Sequence, residues 1–128
     1  MDQEYILGIA ELDSQHETIE RAIKGFKEAA EKEEIQDLPK LFAEVQEDLR
    51  FHFRVEESIM SILAYPEVYE HARSHHEVMR FFDTCRICSE SDAKTSADSL
   101  MHLFLEQILS QDRRFAAFLR RNHDRLGL

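Results

Sequence analysis

The chain has little that bends or staples a backbone. Three glycines and two prolines among 128 residues are too few for the repeated tight turns of all-β architectures. Two cysteines give no disulfide framework. No apolar run approaches the ~20 residues that span a bilayer, and the opening MDQEYILGIAELD lacks a basic segment followed by an apolar one. A cytoplasmic location is expected. Positive charge is also short: 16 Lys and Arg against 26 Asp and Glu give a net charge of -10, a sign that repels phosphate backbones and anionic lipid. Nucleic acid and membranes are therefore not expected as partners.

What is abundant is helix-forming residues, a hydrophobic fraction of 43% with nine Phe, and seven His. That supports one packed, all-α domain over 1–128. Short breaks divide it into four periodic segments, expected as helices over roughly 14–33, 38–64, 66–88 and 94–121, behind an N-terminal arm. Ser14 and Glu17 have capping-box spacing, Asp37 precedes Pro39 as a cap, and Pro66 suits the first turn of the third helix. The polar SESDAKTS segment is expected as a loop. Four helices with short connections pack most simply as an up-down-up-down four-helix bundle.

Each segment carries an apolar stripe at steps of three and four, the period of a bundle seam. The first is Leu12, His16, Ile19, Ile23 and Phe26. The second is Phe42, Val45, Leu49, His52, Glu56, Ile59 and Leu63. The third is Val68, His71, His75, Val78, Phe82 and Cys85, and the fourth Met101, Leu105, Ile108, Asp112, Phe115 and Leu119. His16, His52, Glu56, His71, His75 and Asp112 interrupt stripes that are otherwise apolar. One histidine on an apolar face is usually a core residue bonded to the backbone or a hydroxyl. Six polar residues on four helices require another cause. No Lys or Arg shares the stripes to neutralise the carboxylates, and an unpaired buried carboxylate costs several kcal/mol. A cation removes that cost. His52 with Glu56, and His71 with His75, are i,i+4 pairs that can each grip one ion. Imidazole with carboxylate suits iron, zinc or manganese, and carboxylates can bridge two ions.

The segments LDSQH (12–16), HFRVEE (52–57), YPEVYEHARSHH (65–76) and QILSQD (107–112) together resemble the bacterial hemerythrin-like domains. That resemblance implies a four-helix bundle with two irons, joined by an oxo or hydroxo group, that binds O2 reversibly at one of them. By the same resemblance His16 and His52 serve the iron open to O2, His71 and His75 serve the other, and Glu56 and Asp112 bridge both. Ile19, Leu49, Phe53 and Ile59 are candidates for an apolar oxygen pocket.

The resemblance also exposes a departure. The family pattern has a histidine five residues before the bridging aspartate, and here that position is Gln107. Gln107 could coordinate weakly, hold a water at the site or point away; water is favoured, because a neutral amide is a poor ligand. The consequences expected are extra exchangeable positions and faster oxidation of the oxygenated form. Both suit a sensor of O2 or redox state better than a carrier or store.

The expected function is thus a binding module and not an enzyme, with a di-iron oxidase or peroxidase as the alternative. Nitric oxide and small anions are further candidate ligands, and an effector domain could follow the charged C-terminal helix FLRRNHDRLGL. Cys85 and Cys88 form a CxxC taken as structural, with Cys85 on the core stripe. His76 is expected in solvent or behind a ligand residue, and His102 and His123, off the seams, are expected at the surface.

Overall fold

The computed structural model describes residues 7–32, 35–85 and 90–127, apart from the side chains at 35, 90, 91 and 107. The described residues are all-α. Helix α1 spans Ala10–Glu31, α2 Leu38–Ile62, α3 Val68–Thr84, α4 Glu90–His102 and α5 Leu109–Arg121, with a short α6 at His123–Leu126. A π-helical segment, Leu103–Ile108, joins α4 to α5. His102 and Leu109 on either side of it keep right-handed helical dihedrals, so α4, the wide turn and α5 form one continuous rod. Helix α1 packs on α2 and α4, α2 on α3, and α3 on the wide turn.

The interior has three layers. One apolar cluster holds Ile19, Phe26, Phe42, Leu49, Phe53, Val78, Phe82 and Phe104 among others, and a second holds Leu7, Leu12, Met60, Tyr65, Phe115, Phe118 and Leu119. Between them lies a slab of buried polar side chains: His16, His52, Glu56, His71, His75 and Asp112. Along α1 the order is Leu12, His16, Ile19; along α2 it is Leu49, His52, Glu56, Met60. These two helices cross the layers in opposite directions. Helix α3 then runs from Val68 through His71 and His75 to Val78, and the last rod from Leu109 through Asp112 to Phe115, completing up-down-up-down.

Local chemistry sets several boundaries away from their expected places. Helix α1 begins at Ala10, four residues before Ser14, because the Asp13 carboxylate reaches back to accept the amides of Leu7 (2.7 Å) and Gly8 (3.1 Å). Ser14 is interior, and its carbonyl accepts from the Thr18 hydroxyl. Asp37 makes no side-chain cap; the 3-10 turn Ile35–Asp37 leads straight into α2. Pro66 lies before α3, whose hydrogen bonding starts with the Glu67 carbonyl accepting from His71 at 3.0 Å. The SESDAKTS segment is largely helical because Ala93 and Ala97 bury against the first cluster. The ends expected at 33 and 88, the first six residues of the N-terminal arm and Cys88 lie outside the described residues.

The exit of α2 is a Schellman motif. Tyr65 donates to the Met60 carbonyl at 2.9 Å and Ala64 to Ser61 at 3.2 Å, with Ala64 left-handed at φ 56. That conformation usually belongs to glycine. Tyr65 then tucks between Phe115 and Phe118, centroids 4.9 and 5.1 Å away, and its hydroxyl donates to Glu67.

The fourth stripe is displaced from its expected register. Leu100 and Phe104 are fully buried, whereas Leu105 is 38% exposed and Met101 only packs against the cluster edge. Counting back from Asp112, the buried series runs 108, 104 and 100, in steps of four. A π turn closes i to i+5 and absorbs about one extra residue, so a strict four-three alternation lands one residue off.

Candidate metal centre

The site is assembled from four helices. His16 comes from α1, His52 and Glu56 from α2, His71 and His75 from α3, and Asp112 from the first turn of α5. His16, His52, Glu56 and Asp112 have no solvent exposure, and His71 and His75 almost none.

The carboxylates divide the slab in two. Asp112 turns Oδ2 to His16 Nε2 at 2.7 Å and Oδ1 to His71 Nε2 at 2.8 Å. Glu56 turns Oε2 to His52 Nε2 at 3.1 Å, and Oε1 to His71 and to His75 Nε2, the latter at 3.1 Å. Two four-residue groups result: His16, His52, Glu56 and Asp112, and Glu56, His71, His75 and Asp112, the donor atoms of each lying within 4.8 Å of one another. Donors bound ~2.1 Å from one ion, at right angles, are ~3 Å apart. The spacings match that geometry.

Hydrogen bonds behind the rings fix which nitrogen faces inward. His52 donates from Nδ1 to the Gln15 amide oxygen at 2.8 Å, and the Gln15 amide nitrogen in turn donates to Glu11 at 3.0 Å. His75 Nδ1 donates to the Glu57 carboxylate at 3.1 Å. Both rings therefore direct Nε2 inward, at the carboxylates. Phe53 lies flat on His75, centroids 3.8 Å apart and planes 10° from parallel, and Phe104 meets His16 edge-on at 6.2 Å.

The donor set fits a cation better than it fits itself. His16 Nδ1 and His71 Nδ1 have no hydrogen-bond partner among the described residues, and Glu56 Oε2, His75 Nε2 and both Asp112 oxygens are buried facing only other atoms of the slab, at 2.7 to 3.9 Å. Buried polar atoms left so cost ~1–3 kcal/mol each. Cations bound by Nε2 and carboxylate oxygen would satisfy the inward-facing atoms together.

Residues 7–125 match the family model for the hemerythrin HHE cation-binding domain. The chain belongs to this hemerythrin family. No curated protein and no solved structure matches it significantly. Family membership makes this a cation-binding domain, and the slab at mid-bundle is a cluster that could hold the metal.

The hemerythrin resemblance named six ligand candidates, and the structure brings all six together. It does not bring the expected pocket residues to one wall. Ile19, Leu49 and Phe53 lie in the first apolar cluster, but Ile59 is half-buried against the second, across the slab, because fully buried Met60 takes the inward position one residue on. The Gln107 side chain lies outside the described residues; its backbone is part of the wide turn. His76, His102 and His123 are exposed. Cys85 is half-buried just past α3, with Sγ 3.0 Å from the Ser96 hydroxyl.

Sequence reasoning missed Gln15 and Glu57. Each is the chain neighbour of a ligand candidate, His16 or Glu56, and each backs a histidine on the next helix. A residue one step along a helix is rotated ~100°, which turns it from the bundle axis towards the adjoining helix. Adjacency to a ligand was the available signal.

Proposed function

We propose that this domain holds two irons at mid-bundle and binds O2, as the O2- or redox-sensing module of a cytoplasmic signalling protein. One observation carries the reading: Glu56 and Asp112 each turn their two oxygens to different histidines, the arrangement expected of carboxylates shared by two ions. His16 and His52 would hold one iron, His71 and His75 the other. When bound, such irons supply the electrons for reversible O2 capture.

The chain's own residues do the rest. Gln15 and Glu57 hold His52 and His75 with Nε2 inward, and the bridging carboxylates offset cationic charge in a slab closed to water. Ile19, Leu49, Phe53 and Phe104 cover it on one side and Met60 with Phe115 on the other, leaving a small neutral molecule as the natural ligand. Nitric oxide shares that chemistry.

Gln107, in place of the family's histidine, favours a sensor over a carrier or store, because an imidazole fewer leaves that iron more accessible to water and anions. The same feature supports, more weakly, an oxidase or peroxidase. An effector domain beyond the charged C-terminal helix would complete the sensing role.

The test is metal analysis with an optical spectrum before and after admitting O2 to the reduced protein. Two irons per chain and a new charge-transfer band that reverses on removing O2 are expected. A single zinc without a band would overturn the proposal, and steady-state peroxide turnover without reversible binding would replace it with the enzyme.

A further inference from the structure

The two halves of the slab have equal donor sets but unequal backing. In each half one histidine is held from behind and the other is not: His16 Nδ1 and His71 Nδ1 have no hydrogen-bond partner among the described residues. The held rings differ in what holds them. Behind His52 stands the Gln15 amide, a neutral dipole; behind His75 stands the Glu57 carboxylate, a full negative charge. A carboxylate draws the Nδ1 proton more strongly than an amide does, which raises electron density at Nε2 and makes the imidazole a better donor. His75 is also the ring clamped by Phe53 at 3.8 Å, so less orientational freedom is lost when it binds.

From this we infer that the two metal positions are unequal, that the position of His71 and His75 fills first and holds its ion more tightly, and that Glu57 is the positioning residue responsible. The inference rests on reading the slab as two metal positions. Glu57 touches no ion itself; it acts through His75. Its side chain is 36% exposed, so water screens part of its charge, and the fixed direction of the hydrogen bond carries the rest.

The test uses the full metal-free chain and cobalt(II) as the probe, followed by calorimetry and visible absorption. Two binding events at least about tenfold apart are expected, the tighter abolished by His71→Ala and the weaker by His16→Ala. Glu57→Gln should weaken the tighter event by about 10–100-fold, the usual cost of losing such a backing group, and leave the weaker nearly unmoved. Gln15→Glu should narrow the gap from the other side by tightening the weaker event. Circular dichroism confirms that the variants keep their helix.

A tighter event that ignores Glu57→Gln overturns the inference. So does an equal loss in both events, which marks a scaffold effect, and so does a tighter event removed by His16→Ala instead of His71→Ala. Fewer than two cobalt ions per wild-type chain would overturn the inference together with the two-metal reading, whereas two events indifferent to Glu57 would overturn the inference alone.

Discussion

Nε2 of His16 and Nε2 of His52 face each other at 3.0 Å in a slab without solvent exposure. The Nδ1 proton of His52 is committed to Gln15, so the approach needs either a proton on one of the two Nε2 atoms or a metal ion between the rings.

That competition sets the pH response. In the metal-free chain burial pushes His52 and His71 down, but bonds to Asp112 and Glu56, with their charges, outweigh it and lift both from 6.5 to about 9. Burial likewise pushes Glu56 and Asp112 up, and the histidine bonds override it, holding Glu56 well below 4.5 and Asp112 below 3.8. The raised histidines stabilise the metal-free fold fully below 6.5 and lose that contribution as pH climbs through about 9. The depressed carboxylates contribute above 4.5 and lose it on acidification. Metal-free melting temperature should therefore plateau between these limits and fall on the alkaline side. Metal uptake should strengthen from pH 6 to pH 9 and release protons, which calorimetry in buffers of different ionisation enthalpy will count. Uptake without proton release would contradict this.

Sharing of the carboxylates separates two classes of variant. His16→Ala removes a donor from one half and should leave about one metal per chain. Glu56→Gln removes charge from both halves and should leave almost none. It should also cost the metal-free fold roughly 3–5 kcal/mol, the usual penalty for a buried charge set that loses one partner. Metal analysis and urea denaturation read the two effects, and equal stoichiometry in both variants would refute the bridging role.

Ala64 offers a stability test remote from the slab. Its left-handed φ of 56 costs an alanine about 1–2 kcal/mol that a glycine does not pay. Ala64→Gly should raise stability by about 0.5–1 kcal/mol, net of the extra freedom glycine has when unfolded. Metal content should not change. A lower melting temperature would show that the turn tolerates alanine better than its geometry implies.

Gln107→His restores the residue of the family pattern. The oxygenated form should then oxidise more slowly, as followed by decay of its absorption band. An unchanged rate would remove Gln107 from the argument for sensing.

The site was legible because polar residues on an apolar stripe are costly and therefore conspicuous: His16 between Leu12 and Ile19 is visible at a glance. The first three stripes could be indexed from spacing alone as far as the ligand candidates, since α1, α2 and α3 keep an ordinary helical period, and only past Glu56 does Met60 replace the expected Ile59. The fourth could not, because the extra residue absorbed near Phe104 has no signature in composition. Gln15 and Glu57 were hidden for another reason. Beyond their adjacency to a ligand candidate, surface-type residues at helical positions carry no sign of the neighbouring helix they face, and packing reveals it. The first helix start was misplaced because Asp13, not Ser14, serves the entry to α1, whereas α2 starts at Leu38 as expected although Asp37 makes no side-chain cap.

The wide turn at 103–108 has a consequence in the arithmetic of the chain. An α-helix advances ~100° per residue, so closing the rod to ordinary helix there with every residue kept would swing Asp112 by about that angle relative to Phe104 and Leu100. The aspartate would leave the slab with no ligand mutated. The aim of this carboxylate is fixed by a tally of residues upstream, and the wide turn is what takes up the surplus one.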